Sequence, residues 1–68
     1  MFDSKIKELI AIGCSVACNC HRCVKYHVGK ARELGIDGEE IKQAIDTGKM
    51  VREGAAGQMN ELIMEIVS

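Results

Sequence analysis

The sequence predicts an all-α protein: a small bundle of about four helices, one domain over residues 1–68, completed by homo-oligomerisation. Three observations lead there. Apolar residues recur at helical spacing along the whole chain, which contains no Pro. Hydrophobic residues make up 47% of the chain but include one Phe, one Tyr and no Trp, so the apolar supply is Ile, Leu, Val, Met and Ala, which suits helix-on-helix packing. Finally, a chain of 68 residues buries only about 60% of the surface its unfolded form exposes. Domains this small recruit a staple, a metal or further copies of themselves.

The first helix is expected from Asp3 or Ser4 to Ala17, with Ile6, Leu9, Ile10, Gly13, Val16 and Ala17 along one side. Asn19 is the candidate N-cap of a second helix, because its side chain can accept a bond from an orphan N–H. On that helix Cys20, Val24, His27, Ala31 and Leu34 form one stripe, while Arg22, Lys25, Lys30 and Arg32 mostly face outward. Gly35 has the place of a helix C-terminal glycine. Asp37 followed by Glu40 has capping-box spacing and opens a third helix with Ile41, Ala44, Ile45 and Val51, and with Gly48 as a weak point. Around Gly54 and Gly57 the chain either bends or continues. Beyond it Met59, Leu62, Ile63, Ile66 and Val67 make an apolar side too broad for three short neighbours to hide, which marks it as a subunit interface.

Charge and hydropathy exclude several function classes. The net charge of −1 provides no field for nucleic acid or an anionic membrane. The longest stretch without Asp, Glu, Lys or Arg, LIAIGCSVACNCH at residues 9–21, falls short of the roughly 20 apolar residues a membrane span needs. The start, MFDSKIKE, lacks the basic-then-apolar layout of a secretory signal. These features predict a cytoplasmic protein, and in the cytoplasm disulfides are rare and mostly catalytic or redox-sensing.

The chemistry is concentrated in CSVACNCHRCVKYH, residues 14–27, which holds all four cysteines and both histidines. Cys20 and Cys23 form a C-x-x-C at the expected start of the second helix. Free N–H groups and the positive end of the helix dipole favour a thiolate there, and Arg22 and Lys25 add positive charge. His27 follows Cys23 by four residues and shares its face. Imidazole ordinarily titrates near pH 6.5, roughly where a proton carrier is useful; a hydrogen-bonded core histidine is the other reading. His21, inside the C-x-x-C, is suited to tuning thiol acidity. Glu8 is the last charge before the uncharged run. It is read either as a desolvated acid–base group or as a solvated charge near a helix start. On a helical wheel it lies beside Ala11, Ile12 and Ser15, small or apolar neighbours that leave room for another helix to approach.

A metal reading needs Cys14, Cys18, Cys20 and Cys23 to converge on zinc or an iron–sulfur cluster. Their spacing, C-x3-C-x-C-x2-C, matches neither a zinc ribbon nor a bacterial ferredoxin run. For Cys14 and Cys18 the alternatives are small hydrophobes packed between helices or auxiliary redox thiols.

Taken together, Glu8 twelve residues before Cys20, then CHRCVKYH and ARELGIDGEEIKQAI, resemble the alkylhydroperoxidase D-like and carboxymuconolactone decarboxylase-like family over residues 5–56. The resemblance implies an all-α fold assembled as dimers to hexamers. It implies that Cys20 and Cys23 cycle between dithiol and disulfide, with Glu8 and His27 as proton relay. The chain departs from the pattern at Arg22, where peroxidase members carry a histidine; here His21 stands one place earlier. It also departs at Cys14 and Cys18, where small residues such as Ala are expected. Lactone decarboxylation needs no dithiol, so the expectation is a thiol–disulfide oxidoreductase, either a disulfide reductase or an antioxidant peroxidase. It would need no cofactor. Its partners would be its own copies, a disulfide or peroxide substrate and a separate electron donor. The alternative is a zinc or iron–sulfur module on the four cysteines.

Overall fold

A computed structural model describes residues 2–68. They form three helices: α1 (Ser4–Ala17), α2 (His21–Glu33) and α3 (Gly38–Val67). The all-α expectation holds, with one change of count. The expected third and fourth helices are a single 30-residue helix that runs straight through Gly54 and Gly57. Each glycine costs an exposed helix about 1 kcal/mol relative to Ala, but Ala55, Ala56, Gln58 and Met59 are good helix formers and no Pro interrupts the run. Neither glycine adopts a positive φ.

Local signals set the ends. Asp3 caps α1 by accepting from the Ile6 N–H at 2.9 Å. Asp37 caps α3 by accepting from the Glu39 N–H at 3.2 Å; the reciprocal bond from Glu40 is not among those of the described residues. Glu39 and Glu40 complement the positive end of α3. Lys30 and Arg32 complement the negative end of α2.

The helix α1 lies between the other two, and α2 and α3 scarcely touch. The core is Ile12, Ala31, Ile36 and Ile41, with Leu9, Val28, Ala44 and Ile45 packed around it, and Ile12 is completely buried. This corrects the expected stripe of α1. Ile6 and Ile10 are exposed, because α1 serves two neighbours and its most buried line passes through Ile12, Ser15 and Val16. The small-residue side beside Glu8 is where α2 packs, as the wheel suggested.

Gly48 is also not the weak point expected of a mid-helix glycine. It is buried, and a Cβ there would collide with the Gly13 carbonyl and lie 2.8 Å from Val16 Cβ. Gly13 in turn lies against the Ala44 carbonyl. The backbones of α1 and α3 therefore cross at a contact that only small residues permit. With Gly13 beside Ala44 and Gly48, and Asn19 beside Arg52, residue numbers rise together along both helices. They run parallel, and α2 returns antiparallel between their ends. No helix among the described residues is long and apolar enough to cross a membrane.

Candidate functional site

The site is built on the corner between α1 and α2. The Cys18 N–H donates to Cys14 O, the Asn19 N–H to Val16 O and the Cys20 N–H to Ser15 O, at 2.9–3.1 Å. The last two bonds are the Schellman pattern that closes a helix through a left-handed residue, and Asn19 is that residue, with φ 58°. Asn19 is therefore not the N-cap of α2. It ends α1, and Cys20 is both the residue that completes this closure and the N-cap of α2. The competing preference won because Asn is one of the few non-glycine residues that enter the left-handed region readily.

This shift places Cys20 at N-cap and Cys23 three residues into the helix. The two are joined as a disulfide with Cα atoms 5.2 Å apart, and both are half-buried. No side chain caps α2 among the described residues, so the first-turn N–H groups, which have no intrahelical partners in any helix, gain none from a cap here. His21, Arg22 and Lys25 are exposed around the pair.

One helical turn beyond Cys23, the His27 Nδ1–H donates to Glu8 Oε1 at 2.8 Å, with side chains 27% and 19% exposed. A carboxylate can only accept, so it fixes hydrogen on Nδ1 and leaves Nε2 as the free position of a neutral imidazole. The Tyr26 ring meets His27 edge-on, centroids 5.0 Å apart. The structure thus brings Glu8 to His27 across 19 residues of sequence and Cys20 to Cys23.

The other two cysteines go elsewhere. Cys14 lines an open apolar groove of about 540 Å³ between α1 and α3, together with Leu9, Ile10, Ala44 and Val51. The Cys18 S–H donates to Ser15 O at 3.6 Å. Both are free and exposed rather than packed as buried hydrophobes. No set of three or more His, Cys, Asp or Glu is grouped to hold a metal among the described residues, so the four-cysteine alternative is not assembled.

Sequence reasoning missed Arg52. Its Nη1–H donates to Asn19 Oδ1 at 3.1 Å, pinning the residue before Cys20 to α3. The signal was available: Ile41, Ile45, Gly48 and Arg52 follow one inward stripe, and a charge in such a place needs an acceptor.

A protein of Paracoccus denitrificans named "Uncharacterized protein 4 in cox locus" is 37% identical over 54 residues, covering 79% of this chain and 49% of that protein. The chain thus spans about half the length of this curated relative. No solved structure matches it. The model of the carboxymuconolactone decarboxylase family matches residues 2–61, nearly the whole length, and the chain belongs to that family.

Proposed function

We propose that this chain is a thiol–disulfide oxidoreductase whose working pair is Cys20 and Cys23, with His27 and Glu8 moving the protons. The observation that carries the reading is a bonded C-x-x-C at an otherwise uncapped helix start, one turn from an imidazole held by a carboxylate. Lactone decarboxylation passes no electrons through thiols and gives such a pair no task.

The two sulfurs are activated differently. After reduction Cys20 can serve as the missing cap, its thiolate accepting from first-turn N–H groups as Ser or Asp would. That interaction favours ionisation and makes Cys20 the attacking group. It attacks one sulfur of a substrate disulfide, forming a mixed disulfide and releasing the other sulfur as a thiolate, which takes up a proton. His27 Nε2 then removes the Cys23 proton, and Glu8 holds the imidazolium that results. Cys23 attacks the Cys20 sulfur, restores the intramolecular disulfide and expels the second substrate thiol. The substrate gains two electrons and two protons, and a dithiol reductant returns them to the enzyme. With a hydroperoxide, Cys20 becomes a sulfenic acid as the alcohol leaves, and Cys23 closes the same disulfide with loss of water.

The test follows reduction of a small aromatic disulfide by the pre-reduced protein. Cys20→Ser abolishes turnover, and Cys23→Ser stops at a mixed disulfide visible by mass spectrometry. Cys14→Ser retains the rate. Equal loss in Cys14→Ser and Cys23→Ser would sink the assignment.

A further inference from the structure

The net charge of −1 hides a division along the chain. Residues 9–32 contain Arg22, Lys25, Lys30 and Arg32 but no Asp or Glu. Acidic residues gather instead where α3 begins, at Asp37, Glu39 and Glu40, all exposed. The 13 residues of α2 separate these two corners, a span of about 20 Å. Charges are screened over roughly 8 Å at physiological salt, so the acids of one corner do not neutralise the cations of the other.

Around the cysteine pair the positive charge is also uncompensated. Arg22 adjoins Cys23 and Lys25 follows it by two residues, both exposed. Arg52 reaches the same corner from α3, where its Nη1–H donates to Asn19, the neighbour of Cys20. That acceptor is a neutral amide, which leaves the guanidinium charge and its other donors available. Among the described residues the ion pairs are His27–Glu8 and Lys30–Glu33, and neither holds Arg22, Lys25 or Arg52. Glu53, next to Arg52 along α3, is exposed and turned about 100° away from it. The carboxylate inside the site, Glu8, is engaged by His27.

We infer that this cationic corner selects the substrate: the disulfide reduced by Cys20 and Cys23 is a small molecule that carries carboxylates beside its sulfurs. The inference rests on the proposed redox role, and the chemistry is unchanged, with two electrons and two protons passing to the substrate. An attacking thiolate ordinarily repels an anionic disulfide. Arg22, Lys25 and Arg52 reverse that repulsion as the substrate nears Cys20, and the positive end of α2 adds to them. The scale fits a small molecule. Every one of these cations is within two residues of a cysteine or bonds a cysteine's neighbour, whereas a standard protein interface takes about 800 Å² from each partner.

The test uses the full chain with Cys14→Ser and Cys18→Ser, so that Cys20 and Cys23 alone react. Pre-reduced protein is mixed with dithiobis-nitrobenzoate, which carries two carboxylates, with dithiodipyridine, neutral at neutral pH, and with cystamine, which carries two ammonium groups. Each rate constant is divided by that of mercaptoethanol in the same buffer, which removes the intrinsic reactivity of the disulfide. At an ionic strength of about 0.01 M the corrected preference for the anionic over the neutral disulfide is about tenfold, with cystamine slowest. At about 1 M it vanishes, because the screening length falls from roughly 30 to 3 Å. Arg22→Glu combined with Lys25→Glu inverts the order with helical circular dichroism kept, and Arg52→Gln lowers the preference. The ratio within one variant cancels any change in thiolate ionisation, so a residue that merely tuned Cys20 would leave it unmoved. Lys42→Gln, exposed near the far corner, keeps the ratio of the unaltered chain.

An anionic preference no greater than that of mercaptoethanol, or one that survives the double reversal, would overturn the inference and leave the redox role in place. A disulfide set in an acidic peptide and preferred to the small one after the same correction would overturn the small-molecule assignment. Failure to reduce even dithiodipyridine would remove the redox role itself, and the inference with it.

Discussion

The chain turns twice, and both turns use the same hydrogen bonds. At the α2–α3 corner the Gly35 N–H donates to Arg32 O and the Ile36 N–H to Ala31 O, both at 3.0 Å. At the α1–α2 corner Asn19 and Cys20 repeat the pattern onto Val16 and Ser15. What fills the pattern differs. At the second corner the left-handed residue is Gly35, with φ 77°, which is free of the Cβ strain an L side chain meets there. The residue after it, Ile36, is buried against Ala31 in the core. One further residue, Asp37, then caps the next helix with its carboxylate. At the first corner the left-handed residue is Asn19, held by Arg52, and the residue after it is a half-buried cysteine that must also start α2. One corner satisfies the backbone and fills the core. The other has the same geometry but keeps its sulfur accessible and its helix start uncapped. A fold can hold a reactive group firmly by giving it a structural post and withholding the usual occupant.

That difference can be attacked from both sides. The largest effect is expected at the first corner, where His27→Gln removes the proposed proton carrier. Reduction of a model disulfide should slow by roughly 10²-fold, the usual worth of a positioned acid–base group, with the melting temperature little changed. An unaltered rate would break the proposed link between corner and relay. At the second corner, Gly35→Ala places a Cβ in the left-handed region and should lower stability by about 1–2 kcal/mol in denaturant titration. Thiol alkylation rates should stay as they were, because nothing at this corner touches sulfur. The smallest effect sharpens the uncapped start of α2. With the disulfide absent in both variants, Cys20→Ser should be more stable than Cys20→Ala by about 1 kcal/mol. Equal stabilities would mean that a side chain at position 20 does not cap α2.

Much of the fold was legible because its signals are local. Asp3, Asp37 and Gly35 announce helix ends within a few residues, and the structure uses all three. Asn19 was misread because two local roles suit it equally. The bond that decides between them, from the Cys20 N–H back to Ser15, reaches across the corner. Gly48 was misread because a glycine in a helix looks like a defect until the neighbouring helix is placed against it. Gly54 and Gly57 left bend and continuation open, and the strong helix formers around them decided for continuation. In the site, the C-x-x-C was plain from spacing alone, and the wheel position of Glu8 suggested where α2 would pack. The contact of Glu8 with His27 depends on two helices crossing, and no single stretch of sequence encodes it. Arg52 could be placed on the inward stripe of α3 from its spacing, but its acceptor, Asn19, is identified only once α3 lies against the α1–α2 corner.

Cys20 closes one helix and opens the next, so the corner has no spare residue. Eleven residues separate Glu8 from Cys20 and three separate Cys23 from His27. Inserting one residue among those three would turn His27 by about 100° around α2 relative to the cysteine pair, away from Glu8. An added residue in the second half of α1 would swing Glu8 by the same angle. Residues 8–27 therefore act as a ruler: point substitutions on the outer surface are tolerated by such a device, whereas a gain or loss of a single residue resets every distance in it.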